Sequence, residues 1–438
     1  MARTWADLAG LRIGILGAGI EGRHAFARLK DSASVLVVVD DNPDASIESK
    51  PVLSGPQGFE ALCTCDVIVK SPGFSRYRPD LMNLAERGIP LVGALGLSLN
   101  EVDPQRVIAV TGTKGKSTTS SIIFHLAQGL GLRSLLIGNI GATPPAREEL
   151  ASYDLIVAEV SSFQALDLEQ SPGVVVVTSL GTDHVDWHGS PEQYRHDKLQ
   201  LTRLEGTHRS VLQGRDELLR SNAHDIGGQL VWSTGVAGEW ASALGLVGTH
   251  NQANAELART ALIEAGVSGA DDDEKLAAAA AGFTPLRGRL TLIARHEGVS
   301  FIDDSLATNV TPTMAALDAM EGQRLALLIG GFDRGIDYQV LIERLAHRAD
   351  PTLVIGLPDS GPNLVSHILA LSTTTRGSTA TTIDEAVRQA WDFVAGGGVV
   401  LMSPAAPSFS QFSNWKERSD AFAQAVTAVT GKAPLTFG

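Results

Sequence analysis

The sequence contains few cysteines, few aromatic residues and no long hydrophobic run. Its 438 residues include two cysteines, Cys63 and Cys65, and 5% aromatic residues. These two cysteines are too few for a metal site and too close together for an easy disulfide, so we expect reduced thiols in a cytoplasmic protein. No apolar run reaches the roughly 18 residues of a transmembrane helix, and residues 1–12 lack the pattern of a signal peptide. We therefore expect no membrane partner.

Basic residues are also scarce relative to acidic ones. The chain has 35 Lys and Arg against 49 Asp and Glu, a formal net charge of −14. This charge argues against nucleic acid or an anionic membrane as a partner, but a few local cations can still bind phosphorylated small molecules. The length exceeds what one hydrophobic core supports, and the 45 glycines with 44% hydrophobic residues are typical of repeated βα units. We expect a monomer of two or three domains.

The most informative stretch lies between a predicted strand at residues 107–110 and a predicted helix from Thr119 to about Leu130. It reads Thr111-Gly-Thr-Lys-Gly-Lys-Ser-Thr118. Glycine lets a backbone wrap an oxyanion, the helix start offers N–H groups, and Lys116 adds a positive charge. Ser117 stands where a hydroxyl could bind Mg²⁺. The stretch predicts a nucleotide phosphate loop, shorter than the common Walker A loop; the alternative is an ordinary βα turn that happens to carry Gly and Lys.

A second glycine-rich motif follows the first predicted strand, Leu11–Leu16. Glycines stand at positions 17, 19 and 22, and the next predicted strand ends at Asp40. This spacing is the dinucleotide fingerprint, in which an acidic residue after the second strand contacts a ribose. On its own it favours an NAD-dependent dehydrogenase, although such an enzyme would not need the second phosphate loop. Asp40 could also be a merely solvated strand end.

Three further predicted strands end in polar residues. Asn139 follows residues 135–137, Glu159 ends residues 154–159, and His184 follows the strand predicted at Val174–Leu180. Because parallel strands share one carboxyl edge, these side chains should lie beside the phosphate loop, where a carboxylate and an imidazole could bind a divalent ion. His184 and His188 at i, i+4 also fit zinc, but no third ligand is evident. No Ser/His/Asp or Cys/His arrangement for covalent catalysis is apparent.

The C-terminal third repeats the alternation of strands and helices after a hinge at Pro285–Arg289. Strands are predicted at residues 299–302, 324–329, 352–355 and 399–402, which indicates another open α/β sheet. Polar loops directly follow three of these strands, at Asp303–Asn309, Gly330–Gly335 and Ser403–Ser408. They should therefore cluster on one face.

Several of these motifs together resemble the Mur ligase family. The phosphate loop, the Glu159-Val-Ser-Ser-Phe-Gln164 segment and Thr182-Asp-His184 are similar to its pattern. The resemblance is to the MurD type, which uses ATP and Mg²⁺ to add glutamate to UDP-N-acetylmuramoyl-L-alanine in peptidoglycan precursor synthesis. It implies three α/β domains: a Rossmann-like UDP-sugar domain at residues 1–98, a central P-loop-type mononucleotide-binding domain at 99–285, and a Rossmann-like C-terminal domain at 286–438 that binds the amino acid.

The resemblance also assigns site residues. Lys116, Glu159, His184 and Lys198 would be catalytic, with Lys198 carbamylated so that it joins Ser117, Glu159 and His184 as a metal ligand. The remaining residues are grouped by ligand: ATP at Gly112, Thr113, Lys114, Gly115, Lys116, Ser117, Thr118, Asn254, Arg289 and Asp304; the UDP-sugar at Ile20, Glu21, Asp40, Asp41, Asn42, Gly73, Asn139 and Ser161; and the amino acid at Thr308, Arg334, Ser408 and Trp415.

This sequence departs from most D-glutamate-adding relatives at the predicted amino-acid site. Leu306 and Arg334 stand where those relatives usually carry Lys, and Trp415 where they carry Phe; Asn42 replaces a frequent Arg in the first domain. Leu306 removes a cation, whereas Arg334 offers a planar, bidentate one. Together with the opening Gly19-Ile-Glu-Gly-Arg23, these changes resemble a branch that adds L-glutamate, which we favour over D-glutamate.

The predicted reaction is ATP-dependent amide formation through an acyl phosphate, with no covalent enzyme intermediate. Three alternatives remain open. A folylpolyglutamate synthase shares the loop and the chemistry but has no use for a UDP-type domain. An NAD-dependent dehydrogenase uses only the first glycine motif. A non-catalytic nucleotide-binding regulator would keep the loops but release no phosphate in response to an amino acid.

Overall fold

The computed structural model describes residues 3–48, 50–206, 208–409 and 411–432. They divide into two compact units, Met1–Trp240 with Ala253–Ala281, and Ala241–Gln252 with Gly282–Gly438. The first unit contains two parallel sheets and the second a mainly parallel one. The predicted α/β class is thus confirmed, while the three predicted domain boundaries stay a prediction. Among the described residues, no helix is long and apolar enough to cross a membrane.

The first sheet has four parallel strands in the order β2-β1-β5-β6. Its strands are short apolar runs, as expected for a sheet covered on both faces. The elements are β1 Arg12–Leu16, α1 Ile20–Leu29, β2 Val35–Val39, β3 Ser46–Ile47, β4 Lys50–Pro51, α2 Gly55–Leu62, β5 Val67–Lys70, α3 Pro79–Glu86, β6 Leu91–Val92 and α4 Ala94–Leu99. Strands β3 and β4 form a separate antiparallel pair.

The second sheet has six parallel strands in the order β12-β11-β10-β7-β9-β8. The central strands β7, β9 and β10 are buried at every residue. The elements are β7 Val107–Thr111, α5 Lys116–Gly129, β8 Ser134–Gly138, α6 Arg147–Leu150, β9 Leu155–Glu159, α7 Ser162–Ala165, β10 Val174–Val177, α8 Val185–His188, α9 Pro191–Leu199, β11 Arg209–Leu212, α10 Glu217–Ser221, β12 Gln229–Trp232, α11 Thr249–Glu264 and α12 Asp273–Ala280.

The two sheets of the first unit are joined by buried charges. Lys70 Nζ forms an ion pair with Asp167 Oδ2 at 2.9 Å, and Arg76 Nε donates to Asp167 Oδ1 at 2.6 Å; the side chains of Lys70 and Asp167 are at most 2% exposed. Lys70 ends β5 of the first sheet, whereas Asp167 follows α7 beside the second. Because an unpaired buried charge is costly, this ion pair fixes the position of β5 against the segment after α7.

The sheet of the second unit has six strands in the order β13-β14-β18-β15-β16-β17. All neighbours are parallel except β13 and β14. The elements are β13 Thr291–His296, β14 Val299–Asp303, α13 Val310–Ala319, β15 Leu325–Ile329, α14 Gln339–Ala346, β16 Thr352–Gly356, α15 Ser360–Leu371, β17 Arg376–Thr379, α16 Ile383–Val394, β18 Gly398–Met402 and α17 Trp415–Thr430. The three predicted polar loops follow β14, β15 and β18, which are adjacent, so they share one edge as expected.

Candidate active site

The loop between β7 and α5 requires glycine at two positions. Gly112 has φ +138°, and a Cβ there would lie 2.1 Å from the hydroxyl oxygen of Thr178. Gly115 has φ +89°, and a Cβ there would lie 2.7 Å from Oδ1 of Asn254. Glycine tolerates both the left-handed backbone and the close approach. The loop forms a concave turn at the N-terminus of the 14-residue helix α5, which is the geometry of a phosphate site.

Groups at the end of β10 hold this loop in shape. The Thr113 N–H donates to the Ser179 carbonyl oxygen at 2.9 Å, and the Lys114 N–H donates to Ser179 Oγ at 2.8 Å. The Thr178 hydroxyl donates to the carbonyl oxygen of Thr111 at 3.1 Å. Strand β10 ends at Val177 rather than at Leu180, since residues 178 and 179 bond the loop instead of extending the sheet.

Two lysines share one carbonyl oxygen of the loop. Lys116 Nζ lies 2.8 Å from the oxygen of Gly112, and Lys198 Nζ lies 3.0 Å from the same oxygen. Lys198 is 1% exposed; burial lowers its pKa well below the usual value, and the charge of Lys116 lowers it further. Burial therefore favours the neutral amine of Lys198, the form that reacts as a nucleophile.

Glu159 ends β9 next to β7 and is fully buried. Asn139 Nδ2 donates to Oε1 of Glu159 at 2.8 Å, whereas Oε2 has no hydrogen-bond donor among the described residues. A buried carboxylate oxygen without a donor is a costly feature unless a cation binds it. Anionic oxygen is the ligand that Mg²⁺ prefers, so Glu159 fits the predicted divalent ion.

His184 follows β10 and has a left-handed backbone, with φ +47°. Its ring lies 5.0 Å from that of Phe163, between centroids. Partial burial lowers the pKa of His184, Asp183 opposes this shift, and the nearby lysines lower the pKa further. A neutral imidazole can serve as a metal ligand.

The rest of the predicted nucleotide set in the first unit lies on or beside the loop. Ser117 is buried in the first turn of α5, Thr118 follows it, and Asn254 on α11 is 7% exposed beside Gly115. Lys114 Nζ lies 3.2 Å from Asp183, the residue before His184. The residues named for phosphate binding and for the metal are thus gathered at the carboxyl edge of the second sheet.

The zinc alternative is not supported. His188 does not share a ligand position with His184, because both of its ring nitrogens are engaged: Nε2 with Ser162 Oγ at 3.0 Å and Nδ1 with Asp197 Oδ2 at 2.6 Å. In the described part of the chain, no group of three His, Cys, Asp or Glu side chains is placed to hold a metal. The same bonds bring Ser162, His188 and Asp197 into one buried hydrogen-bonded row, which the sequence did not indicate.

The predicted UDP-sugar residues begin at the carboxyl edge of the first sheet. Ile20 opens α1 and is 81% exposed. Asp40 follows β2, and its carboxylate accepts from the N–H groups of Ala18 at 2.6 Å and Asn42 at 2.9 Å. These bonds fix the glycine turn to the end of β2, so Asp40 is not a merely solvated strand end.

Two other predicted sugar-nucleotide residues are engaged by partners that the sequence did not indicate. Asp41 accepts two hydrogen bonds from Arg78, at 2.6 and 3.1 Å. Glu21 accepts from Gln164 Nε2 at 2.9 Å, and burial raises the pKa of Glu21. Ser161 caps α7 through a reciprocal capping box with Gln164. Gln164 therefore connects the first sheet to the segment after Glu159.

Gly73, another predicted sugar-nucleotide residue, is bonded to α8: Trp187 Nε1 donates to the Gly73 carbonyl oxygen at 3.3 Å. Asn139, which binds Glu159, is itself exposed. The structure therefore brings Asn139 to Glu159, one of the candidate metal ligands, and attaches the Gly73 turn to α8.

In the second unit, Asp304 follows β14 and is buried. It accepts from Ser403 Oγ at 2.7 Å and from the Leu290 N–H at 3.2 Å. Burial raises the pKa of Asp304 to about 8, although the hydrogen bonds and the charge of Arg289 oppose this. The two predicted ATP residues of this unit are therefore close enough to interact electrostatically.

The predicted amino-acid residues lie on the loops that follow the strands of the second unit. Arg334 is exposed, with Nη2 at 3.4 Å from the carbonyl oxygen of Thr308. Ser408 is 4% exposed. Trp415 begins α17, and a Cβ at Gly288 would lie 2.9 Å from its ring. The loops after β14 and β15 thus meet at Thr308 and Arg334.

Sequence reasoning missed Arg418, a buried residue of α17. Its guanidinium donates to the carbonyl oxygens of Ala406 at 3.0 Å and Ser305 at 2.8 Å. Burial lowers the pKa of Arg418 to about 10, and Asp303 opposes this shift. The residue joins the loops after β14 and β18. A helical arginine carries no local signal of such a role, because its partners are distant in the sequence.

Comparisons with known proteins agree with this arrangement. Residues 110–257 match the family model described as Mur ligase middle domain, and residues 288–406 match the Mur ligase, glutamate ligase domain. The chain is 37% identical to a UDP-N-acetylmuramoyl-L-alanine–L-glutamate ligase of Micromonospora sp., over 97% of this chain and 98% of that protein. A ligase with the same name from Salinispora tropica is also 37% identical, over 97% and 99%.

The fold is similar to that of solved ligases. The crystal structure of MurF from Acinetobacter baumannii matches with a TM-score of 0.57 at 17% identity, over 96% of this chain and 90% of that one. At this identity the likeness concerns the fold alone. Taken with the relatives that cover nearly the whole chain, it leads to one conclusion: this protein is a ligase and belongs to the Mur ligase family.

Proposed function

We propose that this protein joins glutamate to the carboxylate of UDP-N-acetylmuramoyl-L-alanine, using ATP and passing through an acyl phosphate. The observation that carries the proposal is the edge of the second sheet. There Lys116 and Lys198 meet at the Gly112 carbonyl oxygen, and the buried Glu159 keeps one oxygen without a donor. The names of the relatives supply the substrate class.

Each residue at this edge has a proposed task. Lys116 and the N–H groups of the loop stabilise the negative charge of the phosphoryl group as it moves to the substrate carboxylate. Ser117, Glu159, His184 and carbamylated Lys198 would hold Mg²⁺, which supplies further neutralisation of phosphate charge when bound. Glutamate then attacks the acyl carbon with its amine, and phosphate leaves.

The burial of Lys198 supports the proposed carbamate. The neutral amine attacks the carbon of CO₂, a nitrogen–carbon bond forms, one C–O π bond becomes a carboxylate, and a proton leaves to solvent. Burial favours the neutral amine that this step needs. The product replaces a cation, which would repel Mg²⁺, with an anionic oxygen ligand.

The second unit would contribute the remaining contacts. Arg289 and Asp304 are proposed to bind ATP, and Thr308, Arg334, Ser408 and Trp415 to bind glutamate. In this proposal residues 1–98, 99–285 and 286–438 act as the UDP-sugar, ATP and amino-acid domains. Ile20, Glu21, Asp40, Asp41, Asn42, Gly73, Asn139 and Ser161 would line the sugar-nucleotide site.

We propose L-glutamate as the preferred enantiomer. Leu306 is only partly buried and carries no charge, so Arg334 is the cation left on this part of the loops for a side-chain carboxylate. The named relatives at 37% identity are L-glutamate ligases. We further propose that the enzyme acts as a cytoplasmic monomer, consistent with the two free thiols and with the nucleotide substrates.

Phosphate release tests the proposal directly. The protein is incubated with ATP, Mg²⁺ and UDP-N-acetylmuramoyl-L-alanine, with L- or D-glutamate in separate reactions. We expect release that requires both the sugar nucleotide and glutamate and is faster with L-glutamate. Faster release with D-glutamate would reverse the proposed stereochemistry only. Phosphate release at the same rate with and without glutamate, or binding of NADH seen by fluorescence titration, would contradict the proposed ligase activity.

A further inference from the structure

A chain of buried hydrogen bonds runs through the first unit behind the candidate metal residues. Ser162 Oγ lies 3.0 Å from His188 Nε2, and His188 Nδ1 lies 2.6 Å from Asp197 Oδ2. The hydroxyl of Tyr77 donates to Asp197 Oδ1 at 2.7 Å, and Gln193 Nε2 donates to the same oxygen at 2.7 Å. Because an ionised carboxylate only accepts, His188 donates from Nδ1, and in the neutral ring Nε2 is then the acceptor for the Ser162 hydroxyl.

Ser, His and Asp occur in this order in the catalytic triad of serine hydrolases, but these three residues do not act as one. Ser162 is 3% exposed, His188 2% and Asp197 1%. A substrate carbonyl cannot reach the Ser162 oxygen, and the geometry of nucleophilic catalysis requires such access. The role of these hydrogen bonds therefore depends on the segments that they connect.

The three buried members stand next to the candidate metal ligands in the sequence. Ser162 comes three residues after Glu159, His188 four residues after His184, and Asp197 directly before Lys198. Each belongs to a different short helix, α7, α8 or α9. The hydrogen bonds therefore connect the three segments that carry Glu159, His184 and Lys198.

The exposed end of the chain reaches the first sheet. Tyr77 is 40% exposed and lies in the loop between β5 and α3, four residues after Gly73. The same loop is also attached to α8 by two hydrogen bonds: Ser75 Oγ donates to the Trp187 carbonyl oxygen at 2.8 Å, and Trp187 Nε1 donates to the Gly73 carbonyl oxygen at 3.3 Å. The Trp187 ring in turn stacks on Phe163, with centroids 4.5 Å apart.

We infer that His188 and Asp197 are positioning residues that set the geometry of the metal-binding segments, and that Tyr77 anchors them to the sugar-nucleotide loop. The inference rests on the proposed function for the identity of the metal residues. Ligands that come from three separate segments need such support, since a site misplaced by about 1 Å loses much of its activity. Residues that orient metal ligands from behind typically change metal affinity by about 10–100-fold when replaced.

The test uses metal binding without turnover. Mn²⁺ is titrated into the full-length protein with ADP and bicarbonate and followed by electron paramagnetic resonance. For Asp197→Asn, which keeps the shape of the side chain, we expect about 10–100-fold weaker Mn²⁺ binding. His208→Asn is the control for loss of a buried polar side chain outside this hydrogen-bond network, because His208 is 6% exposed, lies directly before β11 and is bonded to the Thr202 carbonyl oxygen at 2.8 Å. It should bind Mn²⁺ as the wild type does.

Tyr77→Phe covers the case in which Asp197→Asn does not fold, because it removes one hydroxyl and buries no new charge. We expect roughly 3–10-fold weaker Mn²⁺ binding and a raised KM for the UDP-sugar. Tyr153→Phe is the control and should show no such change, because the Tyr153 hydroxyl lies 3.5 Å from Glu149 and takes no part in this network. A merely structural role predicts a lower melting temperature with unchanged Mn²⁺ affinity. Unchanged affinity in folded Asp197→Asn, or in Tyr77→Phe if the first variant does not fold, overturns the inference.

The Mn²⁺ titration separates this inference from the proposed function. A wild-type protein that binds Mn²⁺ and ADP but releases no phosphate with either glutamate would contradict the ligase reaction. The comparison of Mn²⁺ affinities would still decide whether His188 and Asp197 position a metal site.

Discussion

The two ends of α5 provide a matched pair of glycines that separates backbone strain from nucleotide binding. Gly115 precedes the helix with φ +89°, and Gly131 follows it with φ +92°. A Cβ at Gly115 would lie 2.7 Å from Asn254 Oδ1 and 3.4 Å from Thr178 Cβ, whereas a Cβ at Gly131 would meet nothing within 4 Å. Replacement by alanine therefore imposes the same backbone strain at both positions and a steric conflict at only one.

The magnitudes follow from this difference. A left-handed backbone costs an L-residue about 1–2 kcal/mol, which corresponds to a lowering of the melting temperature by about 2–8 °C in a unit of this size. Gly131→Ala should show this loss and no change in ADP affinity. Gly115→Ala should show a similar loss and at least a tenfold weaker ADP affinity, about 1.4 kcal/mol, because Asn254 or the loop has to move out of position.

Isothermal titration of ADP with Mg²⁺, together with thermal melts of both variants, makes the comparison. Equal ADP affinity in the two variants, each folded, would refute the claim that the loop around Gly115 is the nucleotide site. A large loss of affinity in Gly131→Ala would refute the attribution of the effect to the contact with Asn254.

Three more outcomes follow from the structure. Lys198→Ala should abolish ligation, and acetate or formate should restore part of it by replacing the carbamate oxygen; an alanine variant fully active without additive would contradict that role. Burial raises the pKa of Asp304 in the folded protein to about 8, from near 4 in the unfolded chain. Between pH 5 and 7 the folded protein therefore holds a proton that the unfolded chain has lost, and the free energy of unfolding should fall by about 1–3 kcal/mol over this range. Urea titrations should show that Asp304→Asn removes this fall, and an unchanged pH dependence would be inconsistent with it. Asp167→Ala leaves Lys70 buried without its carboxylate and should lower the unfolding free energy by about 3–5 kcal/mol, while Lys70→Met combined with Asp167→Ala should cost less; equal losses would count against the buried ion pair.

The strands that carry the site could be predicted because their signals are local. The runs that form β7 and β9 are buried at every residue, so the sequence shows them as continuous apolar stretches. Residues 201–248 carried no such signal, yet β11 and β12 complete the second sheet there, β11 beside β10 and β12 beside β11. The positions of β11 and β12 depend on pairing with adjacent strands of the sheet, and a local sequence pattern carries no information about that pairing.

The candidate site likewise contains residues that the local sequence indicates and residues that it does not. Lys116 is evident from its glycine-rich loop, whereas Lys198 looks like an ordinary solvated helical lysine, and only the family resemblance singled it out. The structure shows the physical difference, since Lys198 is 1% exposed and bonded to the Gly112 carbonyl oxygen. Tyr77 and Asp197 were missed because they are 120 positions apart in the sequence and meet only in the folded chain.

The attachment of the phosphate loop to the end of β10 has a consequence for energetics. Hydrogen bonds to Thr178 and Ser179 hold the turn from Gly112 to Lys114 in its curved form. A segment that is already ordered gives up little conformational entropy when a triphosphate arrives. The free energy of contact with the phosphates is then available for affinity, and arrival of the nucleotide need not wait for the turn to fold.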